Sequence, residues 1–357
     1  MRLLIITQKV DQNDQLLGFF VHWIAKLAKK FESILVICLE KGEFDLPSNA
    51  QVMTLGKDRR LPKLFWLFNF YKYIFQYRKK YGAVLAHMNP IWMVLGGLCW
   101  RLMGKKNYLW YTSGGVTAKL KLAEKLTHVV LTASPESFRL PSKKVIVTGH
   151  GVDTDLFKPD FSRSNLKEGS SRFNRGDIDS RLRILSVGRI APVKNYEVLI
   201  EAAKILQKKG VNFSVTMMGE PVLDRDKKYG RSLKQKIADL NLQSHFNFAG
   251  KINNRVLASV YQSHDIFVHL SKTGSLDKSL LEAMASGIKV LSSNDWSHHN
   301  LPPELTFNEN DPLELANKIK NTSQTDFREQ LKDYVVKNHN LDGLIEKISS
   351  IISRGSS

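Results

Sequence analysis

The chain has 357 residues, with 53 Lys and Arg against 34 Asp and Glu, a formal net charge of +19. That length suits two domains that each bury a core, and an apolar share of 43% excludes wholesale disorder. Cys38 and Cys99 have no metal-type spacing, which argues against a disulfide framework and fits a reducing compartment.

Met1–Thr7 turns polar too soon for a signal-peptide core and reads as a strand over Leu3–Thr7. Further short apolar runs predict strands at Ile34–Leu39, Val52–Leu55, Ala83–Ala86, Tyr108–Tyr111, Val129–Thr132 and Val145–Val147. Amphipathic stretches predict helices at Leu16–Lys30, Pro62–Tyr81, Ile91–Met103 and Ala118–Leu126. The longest apolar run, Ile91–Trp100, falls short of the about 20 residues a membrane span needs, so any membrane contact is expected to be peripheral. Asp160–Arg181 is polar throughout and reads as a linker. The alternation then restarts, with strands at Ile184–Val187, Ser214–Met218, Phe246–Phe248, Ile266–His269 and Lys289–Ser292. Helices are predicted between them at Asn195–Lys208, Gly230–Asn241, Arg255–Gln262 and Ser279–Ser286, and two or three more over Asp311–Ser353. The fold class this implies is α/β, with two facing Rossmann-like domains and a cleft between them.

Three segments carry chemistry. Ser186–Asn195 follows a strand: Gly188 permits a tight turn, and Arg189 and Lys194 place two cations before a helix. They suit a diphosphate, or are a surface Arg and Lys beside an ordinary turn. In Thr273–Gly287 a strand-to-helix turn offers the free amides and hydroxyls of Ser275, Leu276, Ser279 and Leu280 to phosphate or sugar. Glu282 lies one turn inside and can accept both hydroxyls of a ribose; the plainer reading is a helix start capped by Asp277. Gly149–Pro159 contains an Asp-x-Asp pair that reads as a turn more readily than as a divalent-cation site.

Together the stretches GVDTDLFKP, VGRIAPVKN and LLEAMASGIKV resemble the retaining GT-B glycosyltransferases of glycosyltransferase family 4 in motif, order and separation. The resemblance implies an N-terminal acceptor-binding and membrane-docking domain over 1–155, expected to be completed by a C-terminal helix at 341–357. Residues 156–340 become the nucleotide-sugar-binding domain. It places Arg189 and Lys194 on the donor diphosphate and Glu282 on the ribose, with the base read by loops near Gly219 and Lys251. It also implies transfer with retention, without metal and with no cofactor besides the nucleotide diphosphate sugar substrate. Three departures stand out. The family's first glutamate falls on Gly274, with Asp277 the candidate catalytic substitute alongside Arg189 and Lys194. The usual His-Gly falls on Ser113 and Gly114, and the double-glycine loop is reduced to Gly18. His22 and His87 are candidate cleft residues, against the alternative that each is a structural histidine.

The charge is uneven: residues 57–144 hold 17 basic and three acidic side chains, net +14. Within Pro62–Tyr81, Leu64, Leu67, Phe68, Tyr71, Ile74 and Phe75 share one helix face, expected to pack on the sheet. Trp66, Phe70, Tyr73 and Tyr77 form a second stripe, flanked by Lys63, Arg78, Lys79 and Lys80, expected to meet an anionic membrane. The expected function is a glycosyltransferase moving sugar from a UDP- or GDP-sugar to a lipid-linked acceptor. It would act in the cytoplasm, peripherally on the inner membrane face. A donor-site-degenerate membrane scaffold is the alternative; nucleic acid is disfavoured because no nucleic-acid module is recognisable.

Overall fold

The computed structural model describes residues 1–159, 181–252, 254–321 and 326–355, and the linker expected at 160–181 lies outside these but for Arg181. Two compact units divide the chain, residues 1–151 with 339–355 and residues 152–338.

The first unit's strands are β1 (Arg2–Val10), β2 (Ser33–Lys41), β3 (Ala50–Thr54), β4 (Ala83–His87), β5 (Lys106–Trp110), β6 (Val129–Thr132) and β7 (Val145–Val147). They form a parallel sheet in the order β3-β2-β1-β4-β5-β6-β7. Its helices include α1 (Gly18–Ala28), α2 (Lys63–Gln76), α3 (Ile91–Leu102) and α4 (Ala118–Leu126). Successive strand residues point to opposite faces. Leu3 and Ile5 therefore join the core under α1, and Leu4 and Ile6 join the core under α2, α3 and α4. A sheet covered on both sides needs such unbroken apolar runs, which is why these strands read clearly in the sequence.

The second unit repeats the scheme with β8 (Leu182–Val187), β9 (Phe213–Met218), β10 (Phe246–Gly250), β11 (Ile266–His269) and β12 (Lys289–Ser292). The parallel order is β10-β9-β8-β11-β12. Helices α5 (Tyr196–Lys208), α6 (Asp224–Asp239) and α10 (Pro312–Asn321) share one core. Helices α7 (Asn254–Ser263), α8 (Lys278–Ala285), α9 (Asp295–Asn300) and α11 (Arg328–His339) lie on the other face. The last helix, α12 (Leu341–Arg354), returns to the first unit, where Leu344, Ile345 and Ile348 enter the core under α1. Lys26 and Asp342 join the two helices at 2.6 Å.

Several expectations are corrected. The two stripes of α2 are exchanged: Phe70 is fully buried, and Trp66, Tyr73 and Tyr77 pack against the core, whereas Leu64 is 79% exposed and Phe68 64%. Tyr71 and Ile74 do face the core, but Leu67 and Phe75 are exposed. Helix α2 also ends at Gln76 rather than Tyr81. Helix α6 starts six residues before Gly230, because the Asp226 carboxylate, one turn inside, accepts the Leu223 N–H and fixes the helix start there. Helix α9, which the sequence pattern does not suggest, has one buried apolar residue, Trp296, and so no apolar period; the Asn294 side chain starts it by accepting the Ser297 N–H. The Asp-x-Asp segment, in contrast, is the turn that its sequence favours: Asp153 Oδ1 accepts the Leu156 N–H at 3.2 Å, and Val152 and Phe157 anchor it in the second unit's core. Its Pro159 packs against Gly287, where an added Cβ would lie 3.0 Å from Pro159 Cγ.

Candidate functional site

In an open parallel sheet, ligands gather at the carboxyl ends of the strands where the strand order reverses. In the second unit that point lies between β8 and β11. The loop after β8 carries Gly188, Arg189 and Lys194, and the loop after β11 carries Gly274, Ser275 and Asp277. The strands are tied together by Ser186 Oγ donating to the Val268 carbonyl at 2.8 Å, and the loops by the Lys272 N–H donating to the Val193 carbonyl at 2.9 Å.

The Lys194 ammonium reaches across and donates to Asp277 Oδ2 at 2.5 Å, with the side chains 17% and 20% exposed. Gly188 makes room for it, since a Cβ there would meet Lys194 Cε at 3.0 Å. His269, the last residue of β11, brings Nε2 within 2.8 Å of the same carboxylate oxygen. Its Nδ1 lies 3.0 Å from Ser292 Oγ, which Ser297 Oγ approaches to 2.7 Å. Asn294 closes the ring by donating to the Ser275 carbonyl at 2.9 Å. Burial works to raise the Asp277 pKa, but the Lys194 charge and the His269 hydrogen bond hold its carboxyl well below the usual carboxylate range. Burial lowers His269 from its ordinary value against the raising effect of Asp277, which favours a neutral ring donating Nε2–H. Asp277 occupies the N-cap position of α8, yet its carboxylate caps nothing and is turned to Lys194 and His269. No side chain caps the first turn of α8.

Arg189 is steered by a residue the sequence reading did not single out. Its Nε stands 3.7 Å from Asp226 Oδ2, and Asp226 is fully buried at the start of α6. Glu282 is 4% exposed, with Oε1 accepting from Lys278 Nζ at 2.8 Å and Oε2 lying 3.5 Å from the Tyr261 hydroxyl. Leu276 and Leu280 put their side chains into the core, so only their backbone can meet a ligand. Ser279 is half-buried; its carbonyl accepts from the Tyr261 hydroxyl. Gly219 and the exposed Lys251 follow β9 and β10 at the same end of the sheet.

In the first unit the strand order reverses between β1 and β4, and Thr7 Oγ1 meets His87 Nδ1 there at 3.1 Å. His87 is 1% exposed, stacked on Phe20 with centroids 3.6 Å apart and on Trp110 at 5.4 Å. Burial, reinforced by His150, brings its pKa down to about 3. His87 is therefore a neutral core histidine and not a cleft acid or base. His22 is exposed on α1, and Gly18 starts that helix with room for no Cβ, the Gln12 carbonyl oxygen being 2.9 Å from where one would stand. Ser113 and Gly114 are half-buried after β5.

Two parallel-sheet Rossmann-like units in one chain, with cations and a helix start at the second unit's switch point, are the GT-B arrangement, and the comparisons agree. Residues 169–301 match the family model Glycosyl transferases group 1. Over 171 residues the chain is 32% identical to the amylovoran biosynthesis glycosyltransferase AmsK of Erwinia amylovora, covering 46% of this chain and 36% of that protein. It is 28% identical over 166 residues to the alpha-monoglucosyldiacylglycerol synthase of Streptococcus pneumoniae, covering 46% and 35%. The chain thus spans about a third of the length of the curated relatives it matches. Among solved structures, Anabaena Alr3699/HepE in complex with UDP matches with a TM-score of 0.76 at 18% identity, covering 99% of this chain and 100% of that one. The glycosyl transferases group 1 stretch takes in β8 to α9, and with it all the second-unit site residues named above.

Proposed function

We propose that the chain is a retaining glycosyltransferase of family 4 that takes a sugar from a UDP- or GDP-sugar and adds it to a lipid-linked acceptor at the cytoplasmic face of a membrane. The observation that carries the reading is the largely buried Lys194–Asp277–His269 group at the β8/β11 switch point, beside an α8 N-terminus that no side chain caps. A diphosphate at this place gains Lys194, Arg189 and the helix start, and these stabilise the charge that develops on the leaving group. In this reading they take the part a metal ion plays elsewhere, and no cofactor is required. Glu282, already buried and fixed by Lys278, accepts the ribose hydroxyls. Once the diphosphate attracts Lys194, Asp277 stays anchored by His269 and offers its carboxylate to the sugar, in place of the side chain missing at Gly274.

The lipid acceptor is supported by the net +14 over residues 57–144 and by a relative named for a glycolipid product. No helix among the described residues is long and apolar enough to cross a membrane, so docking is peripheral in this reading. A thermal-shift panel of UDP-, GDP- and dTDP-sugars, followed by transfer of label from the best donor into membrane lipid extract, tests it. A ligand that binds only the folded chain raises its melting temperature. Absence of a shift with every donor refutes the reading. A shift without transfer favours the non-catalytic scaffold, for which Gly274 is the specific observation.

A further inference from the structure

The fold turns the Trp66, Phe70, Tyr73 and Tyr77 stripe inward and leaves another apolar stripe in solvent. Leu64, Phe68 and Phe75 fall within about 40° of one another around α2, with Phe65 on the flank. They are 79%, 64%, 44% and 54% exposed in the order Leu64, Phe68, Phe75, Phe65. Lys72 is set among them, also exposed. Every cation from Lys57 to Lys80 is exposed, eight in all, against the single acid Asp58, whose carboxylate accepts from the Thr54 hydroxyl. Lys57 pairs with Glu40 and Arg59 stands near Asp58, but among the described residues Arg60, Lys63, Lys72 and Lys79 form no ion pair.

A row of apolar side chains edged by unpaired cations on a surface helix has the composition of an element that lies in the plane of an anionic bilayer. A second copy of this chain would bring two strongly basic segments together, which charge opposes. A nucleic acid would neutralise the cations but would leave the apolar row against phosphate. We propose that this outward face of α2 is a membrane-docking surface. Leu64, Phe65, Phe68 and Phe75 enter the boundary between headgroups and acyl chains, and Arg60, Lys63, Lys72 and Lys79 sit among anionic headgroups. The surface deepens the membrane part of the proposed function and does not depend on the donor chemistry.

The test is co-sedimentation of the full chain with vesicles of phosphatidylcholine, with and without 30% phosphatidylglycerol, in the absence of any sugar nucleotide. The wild type is expected to bind the anionic vesicles, and F68S/F75S to bind at least tenfold more weakly while melting cooperatively. K72E/K79E, which touches only exposed charge, is expected to lose binding to the same extent or nearly so, and to lose its dependence on phosphatidylglycerol. Y73F and Y77F, on the inward stripe, should stay within twofold of wild type. Wild-type binding that F68S/F75S leaves unchanged overturns the proposal, as does absence of wild-type binding. So does a wild-type dimer that F68S/F75S converts to a monomer, or vesicle binding abolished by random duplex DNA. If vesicle binding fails while donor sugars still bind, the docking surface falls and the donor site stands.

Discussion

Asp277→Asn separates what Lys194 does alone from what it does with a ligand. The two charges stand 2.5 Å apart and are about four-fifths buried. Removing one partner of a fully buried pair costs about 3–5 kcal/mol. Here water still reaches part of Lys194, which brings the expected loss of stability to about 2 kcal/mol. The asparagine keeps an acceptor for His269 Nε2–H, so the loop should hold its shape. The same change removes the internal competitor for Lys194. UDP alone should then bind roughly tenfold more tightly, about 1.4 kcal/mol, and should rescue the variant's melting temperature more than it raises that of wild type. Turnover moves the other way. A lost charge-assisted hydrogen bond to the sugar is worth about 1.5–3 kcal/mol, a decline of roughly 10–100-fold in kcat. Urea unfolding, calorimetric titration with UDP and steady-state transfer read the three effects separately. UDP binding that is unchanged or weaker in Asp277→Asn would refute the reasoning, because Lys194 would then not exchange Asp277 for diphosphate.

Glu282→Gln keeps the volume and weakens the acceptor, so the Kd for UDP should rise about tenfold by calorimetry; an unchanged Kd would remove Glu282 from the ribose. His87 is held neutral with its pKa brought down to about 3. A depressed histidine contributes stability that is complete above its unfolded value near 6.5 and is lost as pH falls toward the folded value. Between pH 7 and pH 5 this should cost wild type about 2 kcal/mol, and His87→Phe should lose that part of the slope in urea titrations at the two pH values. An identical slope in both proteins would count against it. Gly151→Ala puts a Cβ 2.4 Å from Leu344 Cδ2 and 2.8 Å from Trp23 Cζ2, at a residue with φ +76°. Overpacking and left-handed strain together should lower stability by about 2–4 kcal/mol; a change under about 0.5 kcal/mol would mean that α12 yields freely at this point.

Most of the architecture is legible in the sequence because a parallel sheet covered on both sides demands apolar runs bounded by turns, and Leu3–Ile6 and Val129–Thr132 are such runs. The failures have physical causes. Helix α2 is apolar on two sides, so a helical wheel shows two candidate core faces and cannot choose between them. Phe70 and Ile74 decide it by meeting the sheet, with Trp92 and Trp100 in the same core. Helix α6 begins in the charged run DRDKKYG, where no apolar period exists and only the capping geometry of Asp226 marks the start. That Arg189, Lys194 and Glu282 gather near the β8/β11 switch point is legible because motif and turn chemistry coincide there. His269 is not, because a histidine at the end of an apolar strand carries no local signal, and its role comes from Asp277, eight residues on across a loop. His87 shows the reverse. Its position at a strand end suggests a ligand contact, but Phe20 and Trp110 enclose it.

Calorimetric titration of the full chain with the donor sugar selected by thermal shift, for wild type and for Lys194→Ala, tests the central claim most directly. Saturable binding by wild type is expected, with a loss of at least tenfold in Lys194→Ala, whose fold should persist because Asp277 retains His269. Equal donor binding by the two proteins, or no binding by wild type, would contradict it.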